Sequence, residues 1–189
     1  MTKFKNKYRV ESNRLKSWDY GSNALYFITI CCKNRKCFFG TVSDEKIILS
    51  KNGKIVEKYW LEIPKHFPFV VLHNHIVMPN HMHGIIEIAH NAQMPKLGVS
   101  SLSEEPKLGI STSSKTQNAS QIWKPGILGL IINQYKRICT INARKKNPDF
   151  AWQPNYHDHV IRNQKAYQNI FNYITNNPKK WTKDTFNNK

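Results

Sequence analysis

Acidic residues are scarce in this chain. Its 189 residues hold 12 Asp+Glu against 29 Lys+Arg, a net charge of +17. Cysteine is sparse as well. Cys31, Cys32, Cys37 and Cys139 form no CxxC pair and no regular framework, which argues against a secreted disulfide scaffold and a cysteine-rich zinc module. Long apolar runs are missing: the most apolar stretch, Ala24 to Cys32, is short and interrupted by threonine, so no bilayer span is expected. The opening MTKFKNKYRVESNRLK lacks an apolar centre, so no secretory signal is expected. A soluble, cytoplasmic, strongly basic protein is the expectation. Hydrophobic residues at 40% and aromatics at 12% leave enough apolar mass for one domain with a real core.

The charge itself is uneven. Residues 106–189 carry 14 basic and 3 acidic side chains, whereas residues 1–105 carry 15 and 9. Concentration beside an aromatic-rich end favours a polyanion partner over a uniformly charged surface. Lysine outnumbers arginine 23 to 6 and there are 20 asparagines, so codon preference contributes to the excess.

Residues 1–20 read as a basic, aromatic-dotted arm and residues 21–189 as a single domain, interrupted by a flexible insertion at 90–126. That insertion is rich in Ser, Lys, Pro and Gly and repeats PKLGVS as PKLGIS. Residues 24–32 predict a buried strand. From Ser43 the spacing of Ile47, Ile48, Ile55, Val56, Tyr59 and Trp60 predicts a helix, which Asn52-Gly53 could interrupt and Pro64 and Pro68 close. Residues 69–78 and 81–89 predict two strands joined by a tight turn, and 127–146 an amphipathic helix. A strand broken by Pro154 is expected over 150–161, followed by a last helix from Asn163 toward Asn177-Pro178. This order predicts an α+β fold, a ferredoxin-like split βαβ antiparallel sheet with helices on one side and a further C-terminal helix.

Four of the eight histidines, His73, His75, His81 and His83, lie close together. On a strand His81 and His83 share one face, with Met82 buried behind. Two such imidazoles can grip a divalent metal given a third ligand; equally, they can be histidines at a strand edge. His73-Asn74-His75 spells HNH but lacks the separate elements of that nuclease motif, so His73 and His75 are expected to pack beside the hairpin, with His75 a candidate support for the metal pair. On the last helix, at about 100° per residue, Ile170, Ile174, Tyr167 and Phe171 form one apolar stripe. Tyr173 lies at its edge and Asn177 one turn further on. From the helix alone, the simpler reading is a border tyrosine whose hydroxyl meets water. Taken with the histidines, a phenol nucleophile for a phosphodiester becomes possible: it would conserve bond energy in a phosphotyrosine, with a metal polarising the phosphate and Asn177 completing its shell.

Three segments resemble a known family. MPNHMHGIIEI is similar to the metal motif of the HUH single-strand nucleases. WQPNYHDHVIRN followed by NYITNNPKKW, with NRLKSWDYGSNALYFITICCKNRKCFFG before them, resembles the signature of REP-associated tyrosine transposases, relatives of the single-tyrosine insertion-sequence transposases. The resemblance spans nearly the whole chain outside 90–126. It implies metal-dependent cleavage and rejoining of single-stranded, hairpin-bearing DNA through a 5′-phosphotyrosine. Tyr173 matches the nucleophile, His81 and His83 the ligands of Mg²⁺ or Mn²⁺, and Asn177 a polar position that is often Gln in the insertion-sequence branch. Asn is shorter, which weakens its claim to direct ligation. Monomer and homodimer are both compatible with the resemblance.

Arg9, Arg14, Lys136, Arg137, Arg144, Lys145, Lys146, Arg162, Lys179 and Lys180 are the cations expected to hold the DNA backbone. Two other readings stand beside this one. A binding module of the same fold would read nucleic acid without cutting it. A metallohydrolase on His81 and His83 lacks an acidic neighbour for general-base work.

Overall fold

The computed structural model describes residues 18–90 and 126–187, together with the backbone of β1 (Lys3–Phe4) and β2 (Lys7–Tyr8), which pair antiparallel. Residues 91–125 of the insertion expected at 90–126, and the arm residues Arg9 and Arg14, lie outside the described residues. Four strands build the main sheet: β3 (Ala24–Cys31), β6 (Val70–Val77), β7 (His81–Ile88) and β8 (His157–Ile161). Their order is β6-β7-β3-β8, all antiparallel, which is the split βαβ arrangement.

Alternation decides the two faces. Tyr26, Ile28 and Ile30 of β3 and Met82, Ile86 and Ile88 of β7 point to one side, where α1 (Lys51–Leu61) and α3 (Ile127–Arg144) close the larger core. On the other side α4 (Gln164–Thr175) packs Ile174 against Ile85 and Ile161. Asn163 starts α4 by accepting a hydrogen bond from the Ala166 amide at 2.8 Å, a cap typically worth about 1 kcal/mol. Helices therefore occupy one face, and the last helix, with its tyrosine, occupies the opposite one.

The helix expected from Ser43 begins later. Residues 40–49 form a hairpin, β4 (Gly40–Ser43) and β5 (Lys46–Leu49), turned by Asp44 and Glu45 at φ of 48° and 59°. Positive φ at both central residues gives the twist a two-residue hairpin needs, here without glycine. Ser50, not Ser43, caps α1, accepting from the Gly53 amide at 3.1 Å. Nor does Gly53 interrupt the helix: a Cβ there would lie 2.1 Å from the Phe39 carbonyl oxygen, so glycine is what lets helix and hairpin touch. The short α2 (Ile63–His66) follows α1. The strand expected over 150–161 is restricted to β8, Trp152 making only an isolated bridge with Cys32.

Strand β7 is held from behind. Trp60 of α1, fully buried, lies over Gly84, where a Cβ would approach the indole to 2.2 Å. Tyr135 of α3 donates to the Val56 carbonyl at 3.1 Å and contacts the Met82 sulfur at 2.9 Å. Gly84→Ala is therefore expected to destabilise the protein by about 1–3 kcal/mol, because indole and strand cannot both keep their positions. Chemical denaturation would measure it, and an unchanged midpoint would mean that the close approach carries no stability.

Candidate metal and nucleophile site

The turn at 78–80 brings β7 back along β6, and β7 presents His81 and His83 on the face opposite Met82, both fully buried. Their Nε2 atoms are 3.1 Å apart. Each outer nitrogen has its own partner. Asn80 donates its amide to the carbonyls of Arg35 (3.0 Å) and Phe186 (2.6 Å), so its Oδ1 faces His81 Nδ1 as an acceptor at 2.8 Å. His81 Nδ1 then carries a proton and Nε2 a bare lone pair. Thr29 Oγ1 lies 2.8 Å from His83 Nδ1 and can accept from it, which bares the second Nε2. Burial pushes the His81 imidazole down to about 3, assisted by the Arg35 charge, and holds His83 well below its usual range, assisted by His81 and His157. Both are neutral near pH 7, the form that ligates metal.

Helix α4 carries Tyr173 to this pair. Its hydroxyl is 3.3 Å from His83 Nε2, and its ring lies edge-on to Phe27, with centroids 6.1 Å apart. At 38% exposure the residue is half open, so the border position read from the wheel is real, but the hydroxyl turns inward to a histidine. Burial raises the phenol's pKa, the Asn177 side chain lowers it and Asp184 raises it again. Asn177 is buried, and its Oδ1 has no hydrogen-bond partner among the described residues.

That orphan oxygen matters for a cation. Among the described residues no three His, Cys, Asp or Glu side chains cluster closely enough to hold a metal, so a third protein ligand drawn from them would be of another type. An unpartnered buried amide oxygen is a hard donor suited to Mg²⁺ or Mn²⁺. Two donors on adjacent corners of an octahedron, each about 2.1 Å from the ion, lie about 3.0 Å apart. The imidazole separation fits that geometry.

The remaining expected residues are placed unequally. His75 lies on the α1 side, its ring 6.3 Å from that of Trp60, so it does not support the pair. The cause is an irregularity in β6 between Leu72 and His75, which leaves His73 on the α4 side instead. There His73 bonds Glu87 at 2.7 Å and the Tyr167 hydroxyl at 3.3 Å. Lys136 donates to the carbonyls of Gln153 and Asn155, Arg144 to that of Phe150, and the Arg162 guanidinium lies over the Trp18 ring. Arg137, Lys145, Lys179 and Lys180 are placed toward solvent, the last two in the 3-10 turn that follows Asn177. Thr29, Asn80, Arg35 and Phe186 carry no local pattern that marks them in the sequence. Phe186 caps the pair, its ring centroid 4.6 Å from that of His81.

No model of a known protein family matches the chain. A Haemophilus influenzae protein, described only as uncharacterized, is 38% identical over 174 residues, covering 92% of this chain and 90% of its own length. The chain belongs to that protein's family. Among solved structures, a REP-associated tyrosine transposase bound to a REP hairpin superposes with a TM-score of 0.54 at 18% identity, over 91% of this chain and 74% of that one. The fold is that of a REP-associated tyrosine transposase. In this chain β7 lies at the centre of the sheet and α4 crosses the face opposite the larger core, which sets the histidine pair and the tyrosine helix facing each other.

Proposed function

We propose that this protein cleaves and rejoins single-stranded, hairpin-bearing DNA, with Tyr173 as nucleophile. The observation that carries the reading is the Tyr173 hydroxyl 3.3 Å from Nε2 of one of two neutral imidazoles that face each other at 3.1 Å, with a buried Asn177 amide oxygen, unpartnered among the described residues, one helical turn on. The transposase fold and the net charge of +17 agree with it, and the hairpin in the neighbour's complex suggests the form of the DNA.

The phenol oxygen attacks the phosphorus while its proton goes to solvent. The bond from phosphorus to the 3′ oxygen breaks, and that oxygen leaves as a 3′-hydroxyl after taking up a proton. The 5′-phosphate stays on Tyr173 as a diester, so a returning 3′-hydroxyl can reseal the strand without ATP. His81, His83 and Asn177 are suited to hold a divalent ion, which would polarise the phosphate and stabilise its charge. Phe27 restricts the tyrosine ring, and Asn80 and Thr29 hold the imidazoles in the orientation that aims Nε2 inward.

Incubation of a 5′-labelled hairpin oligonucleotide with Mn²⁺ or Mg²⁺ is expected to give a shortened strand, and EDTA to suppress it. Binding without cleavage in either metal would favour a non-catalytic nucleic-acid module of the same fold.

A further inference from the structure

A cleft of about 470 Å³ opens next to the histidine pair, lined by Lys33, Asn34, Arg35, Gln153 and Pro154. Its floor is a built loop: Asn34 and Arg35 stand in succession at φ of 54° and 52°, a conformation that costs side-chain-bearing residues free energy and persists only where neighbours hold it. The holding bonds are the Lys33 amide to the Ala151 carbonyl and the Gln153 amide to the Cys31 carbonyl, both 2.8 Å, and the Asn80 amide to the Arg35 carbonyl. Because Asn80 also orients His81, the cleft loop and the histidine pair share one support.

Its chemistry is unbalanced. Neither Lys33 nor Arg35 forms an ion pair with a carboxylate among the described residues. The Arg35 guanidinium instead donates to the Thr185 carbonyl and lies 4.9 Å from the Phe186 ring centroid. A carbonyl oxygen and an aromatic face at an arginine mimic what a nucleotide offers, a phosphate oxygen and a base.

We propose that this cleft binds one nucleotide of single-stranded DNA beside the scissile phosphate, with Lys33 and Arg35 on its phosphate and the Gln153 carboxamide and Pro154 ring against its base. The proposal rests on the reading of the protein as a single-strand DNA enzyme and assigns that site a second binding position. Arg35 here is a binding residue, reached by the strand when Thr185 gives up its bond.

The test is fluorescence anisotropy of a labelled single strand with the full-length protein in EDTA, across a salt range of about 50–300 mM. Removing one cation from a phosphate lowers the slope of log K against log salt by about 0.7 and weakens binding about fivefold at about 0.1 M salt. Lys33→Ala and Arg35→Gln are each expected to show that effect, and the double variant about twice the change in slope. Arg35→Lys, keeping the charge, is expected to restore most of the slope, which separates charge removal from misfolding. A double variant with wild-type affinity and slope overturns the cleft proposal. So does an equal weakening in Lys65→Ala on α2, since charge anywhere would then suffice. If the wild-type protein binds no single strand, both this proposal and the functional reading fall; if it binds and cleaves while the double variant is unchanged, only the cleft does.

Discussion

Tyr173→Phe is expected to abolish covalent capture of a hairpin oligonucleotide while leaving its binding nearly unchanged. Removing a nucleophile leaves nothing that can form the covalent bond, and losses of about a thousandfold or more are ordinary for such a change. The substitution removes one oxygen, 3.3 Å from His83 Nε2, and keeps the ring that packs edge-on against Phe27, so fold and affinity have little reason to alter. Tyr167 makes the informative contrast. It lies on the same helix, and its hydroxyl also meets a histidine, His73, which is paired with Glu87. That second cluster has no pair of facing imidazoles and no orphan amide oxygen among the described residues. Tyr167→Phe is therefore expected to retain capture on denaturing gels. Capture that survives Tyr173→Phe and disappears with Tyr167→Phe would move the chemistry to the other histidine.

The second large effect concerns the metal. An ion that binds the folded chain and not the unfolded one stabilises it by RT ln(1 + [L]/Kd), about 2.7 kcal/mol at a hundredfold excess over Kd. For a domain of this size that raises the melting temperature by about 5–10 °C. Mn²⁺ is expected to produce a shift of this order in the wild-type protein and none in His81→Ala or His83→Ala. His73→Ala, outside the pair, is expected to keep it. Differential scanning fluorimetry with and without EDTA reads the result, independently of any DNA chemistry. An undiminished shift in both variants would place the ion elsewhere.

These two expectations depend on residues of very different legibility. His81 and His83 are legible because a strand repeats every two residues, and alternation alone puts both imidazoles on one face with Met82 behind. Tyr173 and Asn177 are related by one helical turn, and the Asn177 side chain lowers the phenol's pKa against the effect of burial. What the wheel does not supply is direction: whether a border tyrosine faces water or a histidine depends on how α4 crosses the sheet. The β4–β5 hairpin reads as helix because Ile47 and Ile48 fit a helical spacing with the later apolar residues, and because Asp44-Glu45 turns the chain with no glycine to signal it. His75 reads onto the wrong face because an irregularity inside β6 leaves no trace in the pattern. Thr29, Asn80, Arg35 and Phe186 lie far apart in sequence and meet only through the sheet and the C-terminal segment. No local period reports such neighbours.

The most direct measurement is mass spectrometry of the protein after reaction with a hairpin oligonucleotide and Mn²⁺, followed by nuclease and protease digestion. The account predicts a nucleotide phosphate attached to the peptide carrying Tyr173, together with a released strand ending in a free 3′-hydroxyl. Cleavage that leaves no adduct on the protein, or an adduct on Tyr167 instead, would contradict it.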